Sequence, residues 1–124
     1  MKYIAIDYDD TLELYPDSFK EICDIFREQG VTPVIVTARS YKHISYHLEN
    51  LIPDAKDAQV GVVFCHWLPK AYICKTFGIR PMFWIDDSPE VINRGWDFGE
   101  REEFEVALER GYVQYLTAED VQKL

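Results

Sequence analysis

Short apolar runs alternate with segments of helical periodicity from one end of the chain to the other. The apolar runs predict β-strands at about residues 3–7, 31–36, 61–65, 81–85 and 112–116. The segments between them predict helices from near Asp17 to Gly30, over about 40–50, from Pro69 to Gly78, after Pro89 and over about 100–110, with a turn at Pro53-Asp54. Because strands that alternate with helices form βαβ units, we predict an α/β, three-layer Rossmann-like fold with a mostly parallel five-stranded sheet.

The length and charge of the chain narrow the classes of partner that it can bind. Its 124 residues suffice for one domain, which we place over residues 1–124, and 48% hydrophobic residues can fill its core. The formal net charge of −9 opposes long-range attraction to nucleic acid, so extended nucleic-acid binding is not expected. No stretch approaches the length of a membrane-spanning apolar segment, so no membrane association is expected.

The three cysteines indicate the cellular compartment. Cys23, Cys65 and Cys74 are odd in number, widely spaced and set in apolar surroundings, which favours reduced core thiols over a disulfide framework. The first residues read as a strand rather than as a secretory signal. We therefore expect a cytoplasmic protein.

Two aspartate pairs follow predicted strands. Asp7 and Asp9 come after the first strand, and Asp86 and Asp87 come after the fourth. In parallel sheets both positions lie at the edge where ligands bind, and converging carboxylates repel each other unless a cation neutralises them. The pattern therefore favours a Mg²⁺-dependent phosphoryl site, although an isolated Asp-x-Asp is also typical of a solvated turn that caps a helix.

Further polar residues fall at the same predicted edge. Thr11 adds a hydroxyl group in a turn that offers backbone amides, and Thr37-Ala38-Arg39 ends the second strand with groups suited to phosphate oxygens. Lys70, at the start of the helix before the fourth strand, could screen a negatively charged intermediate. Taken singly, each has an ordinary alternative as a helix cap or a surface residue.

The order of these residues is more specific than any one of them. Asp-x-Asp-x-Thr after a first strand, Thr after a second, Lys before a fourth and Asp-Asp after it resemble the haloacid dehalogenase-like superfamily of phosphohydrolases, from about Tyr3 to Asn93. The resemblance implies that Asp7 is a nucleophile that forms an aspartyl-phosphate. It also implies that Asp9 is first the general acid and then the base, that Thr37 binds the phosphoryl group, and that Lys70 stabilises charge.

The resemblance further implies a Mg²⁺ site. The ion would be held by Asp7, by the backbone carbonyl of Asp9, and by Asp86 or Asp87, and the sequence leaves open which of the last two is the direct ligand. Lys75, one turn deeper in the helix, remains an alternative to Lys70 and fits the family spacing less well.

The sequence departs from many members of this family because it has no room for a cap domain. The segments between Asp7, Thr37 and Lys70 are already filled by predicted strands and helices. We therefore expect a capless domain with an open site and a phosphorylated substrate such as a nucleotide, a nucleic-acid end or another large molecule. The rim of that opening would carry basic and aromatic residues, which could also be ordinary surface: Arg39, Tyr41, Lys42, His43, Tyr46, His47, His66 and Trp67.

Three other interpretations of the sequence are weaker. His43 and His47 have the spacing of paired helical zinc ligands, to which Cys65-His66 could add, but no characteristic motif surrounds them. A receiver-type phosphoacceptor domain would place its acceptor aspartate after the third strand, where this chain has Cys65-His66. The main rival is a non-catalytic member of the same family that binds a phosphate group or a partner without turnover.

Overall fold

A computed structural model of the protein describes residues 1–41, 48–95 and 101–124. Its strands are β1 (Lys2–Ile6), β2 (Val31–Thr37), β3 (Gly61–Phe64), β4 (Pro81–Ile85) and β5 (Gln114–Leu116). Its helices are α1 (Pro16–Glu28), α2 (Leu48–Ala58), α3 (Lys70–Thr76), α4 (Val91–Arg94), α5 (Arg101–Glu109) and α6 (Ala118–Gln122), and a 3₁₀ turn covers Leu12–Leu14.

The five strands form one sheet in the order β4-β1-β2-β3-β5. The first four strands are parallel, and β5 pairs with β3 in the antiparallel direction. This arrangement confirms an α/β fold with a mostly parallel five-stranded sheet. Because β1 lies between β4 and β2, the residues that follow these three strands meet at one edge of the sheet.

Helices cover both faces of the sheet. On one face, Cys23 of α1, Leu51 of α2 and Val121 of α6 join the side chains of Ile4 and other strand residues in one buried cluster. On the other face, Ile73 of α3 and Ala107 of α5 pack with alternate strand residues such as Ala5, Val34 and Val63. The alternation of side chains along each strand thus supplies both halves of the core.

The second helix differs from its prediction. The structure places α2 over Leu48–Ala58, so the predicted turn at Pro53-Asp54 is wrong and Pro53 lies inside the helix. Leu51, Ala55 and Ala58 of this helix are buried, and their packing outweighs the hydrogen bond that proline cannot donate. Residues 42–47 of the predicted helix lie outside the described residues.

The C-terminal helix α6 was not predicted. Thr117 accepts a hydrogen bond from the backbone N–H of Asp120, whose carboxylate accepts one from the backbone N–H of Thr117. This reciprocal pair is a capping box, which the residues Thr-Ala-Glu-Asp indicate in the sequence.

The first helix, α1, starts at Pro16 rather than near Asp17, in agreement with the preference of proline for the first helical position.

The cysteine side chains lie in the core of the protein. All three cysteines are free and buried, as predicted. Within the described ranges, none of the helices combines the length and the apolar character needed to cross a membrane.

Candidate active site

The carboxyl edge of the sheet brings the predicted site residues of three strands together. Asp7 directly follows β1, and its backbone N–H donates to the carbonyl oxygen of Ile85, the last residue of β4, at 2.8 Å. Asp86 comes next along the chain, and Thr37 ends β2. Lys70 is the first residue of α3, so its long side chain reaches this edge from the helix N-terminus.

Lys70 joins two of the aspartates. Its Nζ atom lies 2.8 Å from Oδ1 of Asp7 and 2.7 Å from Oδ2 of Asp86. The side chains of Lys70 and Asp86 are each 2% exposed, and that of Asp7 is 8% exposed. Lys75 is exposed instead. Lys70, rather than Lys75, is therefore the lysine that lies among the carboxylates.

Asp87 completes a group of three carboxylates. One oxygen each of Asp7, Asp86 and Asp87 can be chosen so that all three atoms lie within 4.8 Å of one another. The hydroxyl group of Thr11 donates to Oδ2 of Asp7 at 3.1 Å and lies 3.5 Å from Oδ1 of Asp87. The other Asp86 oxygen accepts a hydrogen bond from the backbone N–H of Ser88 at 2.9 Å. Both oxygens of Asp86 are thus engaged by the protein, whereas Asp87 is an exposed residue.

Burial sets the electrostatics of this group. Desolvation raises the pKa of Asp7 to about 7, although the Lys70 ammonium acts in the opposite direction, and the neighbouring Asp86 and Asp87 add to the rise. Burial alone would lower the pKa of Lys70, but its two carboxylate partners outweigh burial and raise the pKa. The three carboxyl groups therefore outnumber the one ammonium, which contacts only Asp7 and Asp86 of the three, and the group has an excess of negative charge when its acids are ionised.

That charge excess and the all-oxygen donor set fit a hard divalent cation. Mg²⁺ is bound by carboxylate oxygens, usually with only one or two carboxylates and several water molecules. Asp7, Asp86 and Asp87 offer such oxygens, and Asp87 is the most accessible of the three. These three side chains are the residues that could hold the ion.

Asp9 does not join the group. Both of its carboxylate oxygens accept hydrogen bonds from Arg39, from Nε at 3.1 Å and from a terminal guanidinium nitrogen. The sequence predicted that four carboxylates converge, and three of them do so in the structure. The fourth, that of Asp9, forms an ion pair with Arg39 instead. The same guanidinium lies 3.7 Å from a Glu13 carboxylate oxygen and 5.3 Å from the centre of the Tyr8 ring.

Tyr8 anchors the turn between the two aspartates. Its ring is buried in the core, and its hydroxyl group donates to Oδ2 of Asp54 on α2 at 2.8 Å. Desolvation and the Asp54 carboxylate both raise the pKa of Tyr8. The buried Tyr8 thus separates Asp7 from Asp9, one on each side of it in the chain.

The loop after β2 lies next to this turn. Thr37 is fully buried, and its hydroxyl oxygen accepts a hydrogen bond from the backbone N–H of Arg39 at 3.2 Å. Ala38 is also buried, and its carbonyl oxygen accepts from the backbone N–H of Trp67 at 2.7 Å. The predicted Thr37-Ala38-Arg39 segment is therefore a fixed loop whose arginine reaches Asp9.

The structure adds a contact that the sequence did not indicate. Ser40 Oγ and His66 Nδ1 share a short hydrogen bond between the loops after β2 and β3, and the His66 ring stacks on Tyr112 at a centroid distance of 5.0 Å. The two residues are 26 positions apart, and the only signal for the contact is that each follows a strand end. His66 is therefore tied into the framework of the site.

Of the remaining residues of the predicted rim, two lie within the part of the chain that the structure describes and four lie outside it. Tyr41 is half-buried and packs against Phe64 at a centroid distance of 5.4 Å, whereas Trp67 is 44% exposed. Lys42, His43, Tyr46 and His47 lie outside the described residues, and so does the zinc interpretation that depends on them.

The chain was compared with protein-family models, with curated proteins and with solved structures, and no match was found in any of the three.

Proposed function

We propose that the protein is a Mg²⁺-dependent phosphomonoesterase of the haloacid dehalogenase-like type, without a cap domain, that acts through an aspartyl-phosphate. The observation that carries this proposal is the buried contact between Lys70 and two aspartates, Asp7 and Asp86, at the carboxyl edge of a parallel sheet. A structural ion pair needs only one carboxylate for each lysine. The surplus of carboxylates beside an accessible Asp87 supports a site that receives a cation and a phosphoryl group.

Asp7 acts as the nucleophile in this proposal. One of its carboxylate oxygens forms a bond to phosphorus while the bond from phosphorus to the leaving oxygen breaks, and that oxygen takes a proton from Asp9. A water molecule then attacks phosphorus and gives a proton to Asp9. This step breaks the bond to Asp7 and releases phosphate. Thr11 and Lys70, which contact the two Asp7 oxygens, keep the carboxylate oriented throughout.

The other residues have supporting roles. Thr37 and the backbone of the Thr37-Ala38-Arg39 loop hold phosphoryl oxygens, and Lys70 offsets the negative charge that accumulates on them. Asp7 and Asp87 would hold Mg²⁺ together with the backbone carbonyl of Asp9, whereas the oxygens of Asp86 already accept hydrogen bonds from Lys70 and Ser88. When bound, the ion neutralises the carboxylates and polarises the phosphoryl group.

The proposal is tested with p-nitrophenyl phosphate, a generic aryl phosphate. We expect turnover that requires Mg²⁺, stops on addition of EDTA and is lost in Asp7→Asn, which changes the side-chain volume little. Asp9→Asn should slow an alkyl phosphate more than the aryl phosphate, because a good leaving group needs little protonation. Retained activity in Asp7→Asn would reject Asp7 as the nucleophile.

One observation favours the alternative of binding without turnover. Arg39 donates hydrogen bonds to both carboxylate oxygens of Asp9, so each oxygen is already engaged by the protein rather than by a substrate. A non-catalytic protein would bind inorganic phosphate in the presence of Mg²⁺ and would turn over neither the aryl nor the alkyl phosphate. Calorimetric titration with phosphate, run beside the activity assay, separates the two functions.

A further inference from the structure

Backbone strain in the described residues is concentrated at the edge of the sheet that carries the site. Four residues other than glycine have a positive φ, namely Asp10, Gln59, His66 and Trp67, and all of them except Gln59 follow β1 or β3 at that edge. A side chain with a Cβ atom disfavours this conformation, which persists only where the surrounding structure enforces it. Two such residues in succession, His66 and Trp67, mark the loop after β3.

Several contacts hold this loop in its strained form. The backbone N–H groups of His66 and Trp67 donate to the carbonyl oxygens of Arg39 and Ala38 at 3.2 and 2.7 Å. The His66 ring is bonded to Ser40 and stacked on Tyr112. Behind the loop, the backbone of Gly95 comes so close that a Cβ atom there would lie 2.7 Å from the Trp67 carbonyl oxygen.

The result of these contacts is a large aromatic side chain presented to solvent. Trp67 is 44% exposed, whereas the next residue, Leu68, is 3% exposed and fills the core. The strained loop therefore fixes the backbone of a residue whose large aromatic side chain is accessible to a ligand.

The position of Trp67 relates it to the phosphoryl site. Its backbone is bonded to Ala38, next to Thr37, and it stands three residues before Lys70, a separation that a chain spans in at most roughly 11 Å. This limit on the distance between the two backbone positions allows one ligand to reach both the phosphoryl site and the indole. A nucleoside monophosphate is such a ligand, because its sugar separates its phosphate from its aromatic base.

We propose that Trp67 is the stacking platform for the nucleobase of a nucleoside monophosphate substrate. The proposal rests on the proposed function for the phosphate end of the ligand. Base–indole stacking needs a flat and accessible ring, and the loop after β3 holds the backbone of an exposed tryptophan next to the site. The net charge of −9 opposes a long phosphate backbone and so favours a mononucleotide over a polymer.

The test measures binding rather than turnover. In the Asp7→Asn background with Mg²⁺, calorimetry compares adenosine 5′-monophosphate with ribose 5-phosphate, which lacks the base. We expect the nucleotide to bind roughly tenfold or more tightly than the sugar phosphate, as stacking of one base on an aromatic side chain provides. Trp67→Ala in the same background should remove that advantage, and Trp67→Phe should retain most of it.

Tyr72→Ala is the matched control, because Tyr72 is 51% exposed on α3 and belongs to none of these loops. It should leave the advantage of the nucleotide unchanged. Equal affinity for the two ligands, failure of both to bind, or an advantage that survives Trp67→Ala would overturn the proposal. Hydrolysis of p-nitrophenyl phosphate by the wild type tests the phosphatase function separately, so either conclusion can fail while the other stands.

Discussion

At the scale of single residues, Lys70 has the largest predicted effect on stability. Its ammonium group is buried between Asp7 and Asp86, and truncation would leave two carboxylates without their cation. Removing one partner of a buried ion pair costs about 3–5 kcal/mol. We expect Lys70→Ala to lower the free energy of unfolding by that amount, as measured by urea denaturation without added metal.

Lys75→Ala is the control for this measurement, since Lys75 lies on the same helix and is exposed. Substitutions at exposed sites usually stay within about 0.5 kcal/mol. Equal losses in the two variants would show that the contacts of Lys70 with the carboxylates contribute no net stability.

The raised pKa of Asp7 predicts a pH dependence of stability with a definite sign. An acid whose pKa is about 7 in the folded protein and about 4 in the unfolded chain favours folding when it is protonated. Its contribution is present below about pH 4 and is lost as the pH rises to about 7. We therefore expect Asp7→Asn, which resembles the protonated acid, to gain stability relative to the wild type as the pH rises.

Thermal melts of both proteins in EDTA, at about pH 5 and about pH 8, measure this effect. Groups that titrate in both proteins affect both melting temperatures alike, so their contribution cancels in the difference between the two melting temperatures. If the melting temperature of Asp7→Asn relative to wild type does not rise between the two pH values, burial does not control the ionisation of Asp7.

Residue types and spacing predicted most of the side chains that come together at the sheet edge, but not how they pair. Asp7, Thr11, Lys70, Asp86 and Asp87 come together because each stands at or near the carboxyl edge of the sheet. The pairing of Asp9 with Arg39 could not be predicted, because it depends on the direction of two side chains from different loops. For the same reason the sequence left the choice between Lys70 and Lys75 open.

At the scale of secondary-structure elements, the loop after β3 depends on a glycine in α4's C-terminal cap. Gly95 has φ of +75°, and a Cβ atom there would lie 2.7 Å from backbone atoms of Trp67 and Leu68. Gly30, after α1, has φ of +77° and no atom within 4 Å of the same position. Both glycines therefore have a backbone conformation that strains any other residue, but only at Gly95 would an added Cβ atom also clash with neighbouring backbone.

We expect Gly30→Ala to cost about 1–2 kcal/mol of unfolding free energy from the left-handed backbone alone. Gly95→Ala should cost clearly more, because backbone atoms cannot yield as a flexible side chain does. Urea denaturation of the two variants gives the comparison. A similar loss in both would mean that the contact between Gly95 and the Trp67 loop is loose.

The elements themselves were predicted best where the pattern is local. All five strands were predicted from short apolar runs that end in turn residues, because this signal lies within each strand and its flanking residues. The prediction for α2 was wrong because Pro53 was taken as a break, although buried neighbours keep it helical. The short helix α6 was not predicted, because its sequence signal is a capping box rather than a periodic apolar pattern.

At the scale of the whole molecule, the strand order and the reversed direction of β5 could not be read from the sequence. Both depend on which strands pair with one another in the folded chain, and no local pattern encodes them.

The excess of acidic residues can be read directly from the sequence, and it bears on metal binding. Because the protein has a net charge of −9, added NaCl screens the repulsion among its acidic residues and can raise its stability without binding at any site.

Specific binding of Mg²⁺ must therefore be separated from screening. We expect millimolar Mg²⁺ to raise the melting temperature above that in NaCl of equal ionic strength, since an ion that binds only the folded state stabilises it. Asp87→Asn should remove most of this increment, whereas Asp57→Asn, an exposed change on α2, should keep it. Equal increments in the two variants would assign the effect to general charge.

The central claim is that Asp7 carries a phosphoryl group during turnover. Wild-type protein mixed with excess p-nitrophenyl phosphate and Mg²⁺, then quenched in acid, can be examined by intact-mass and peptide mass spectrometry. The account predicts a mass increase of one phosphoryl group that maps to Asp7 and is absent in Asp7→Asn or with EDTA. Turnover with no bound phosphoryl group, or a group that maps to another residue, would contradict it.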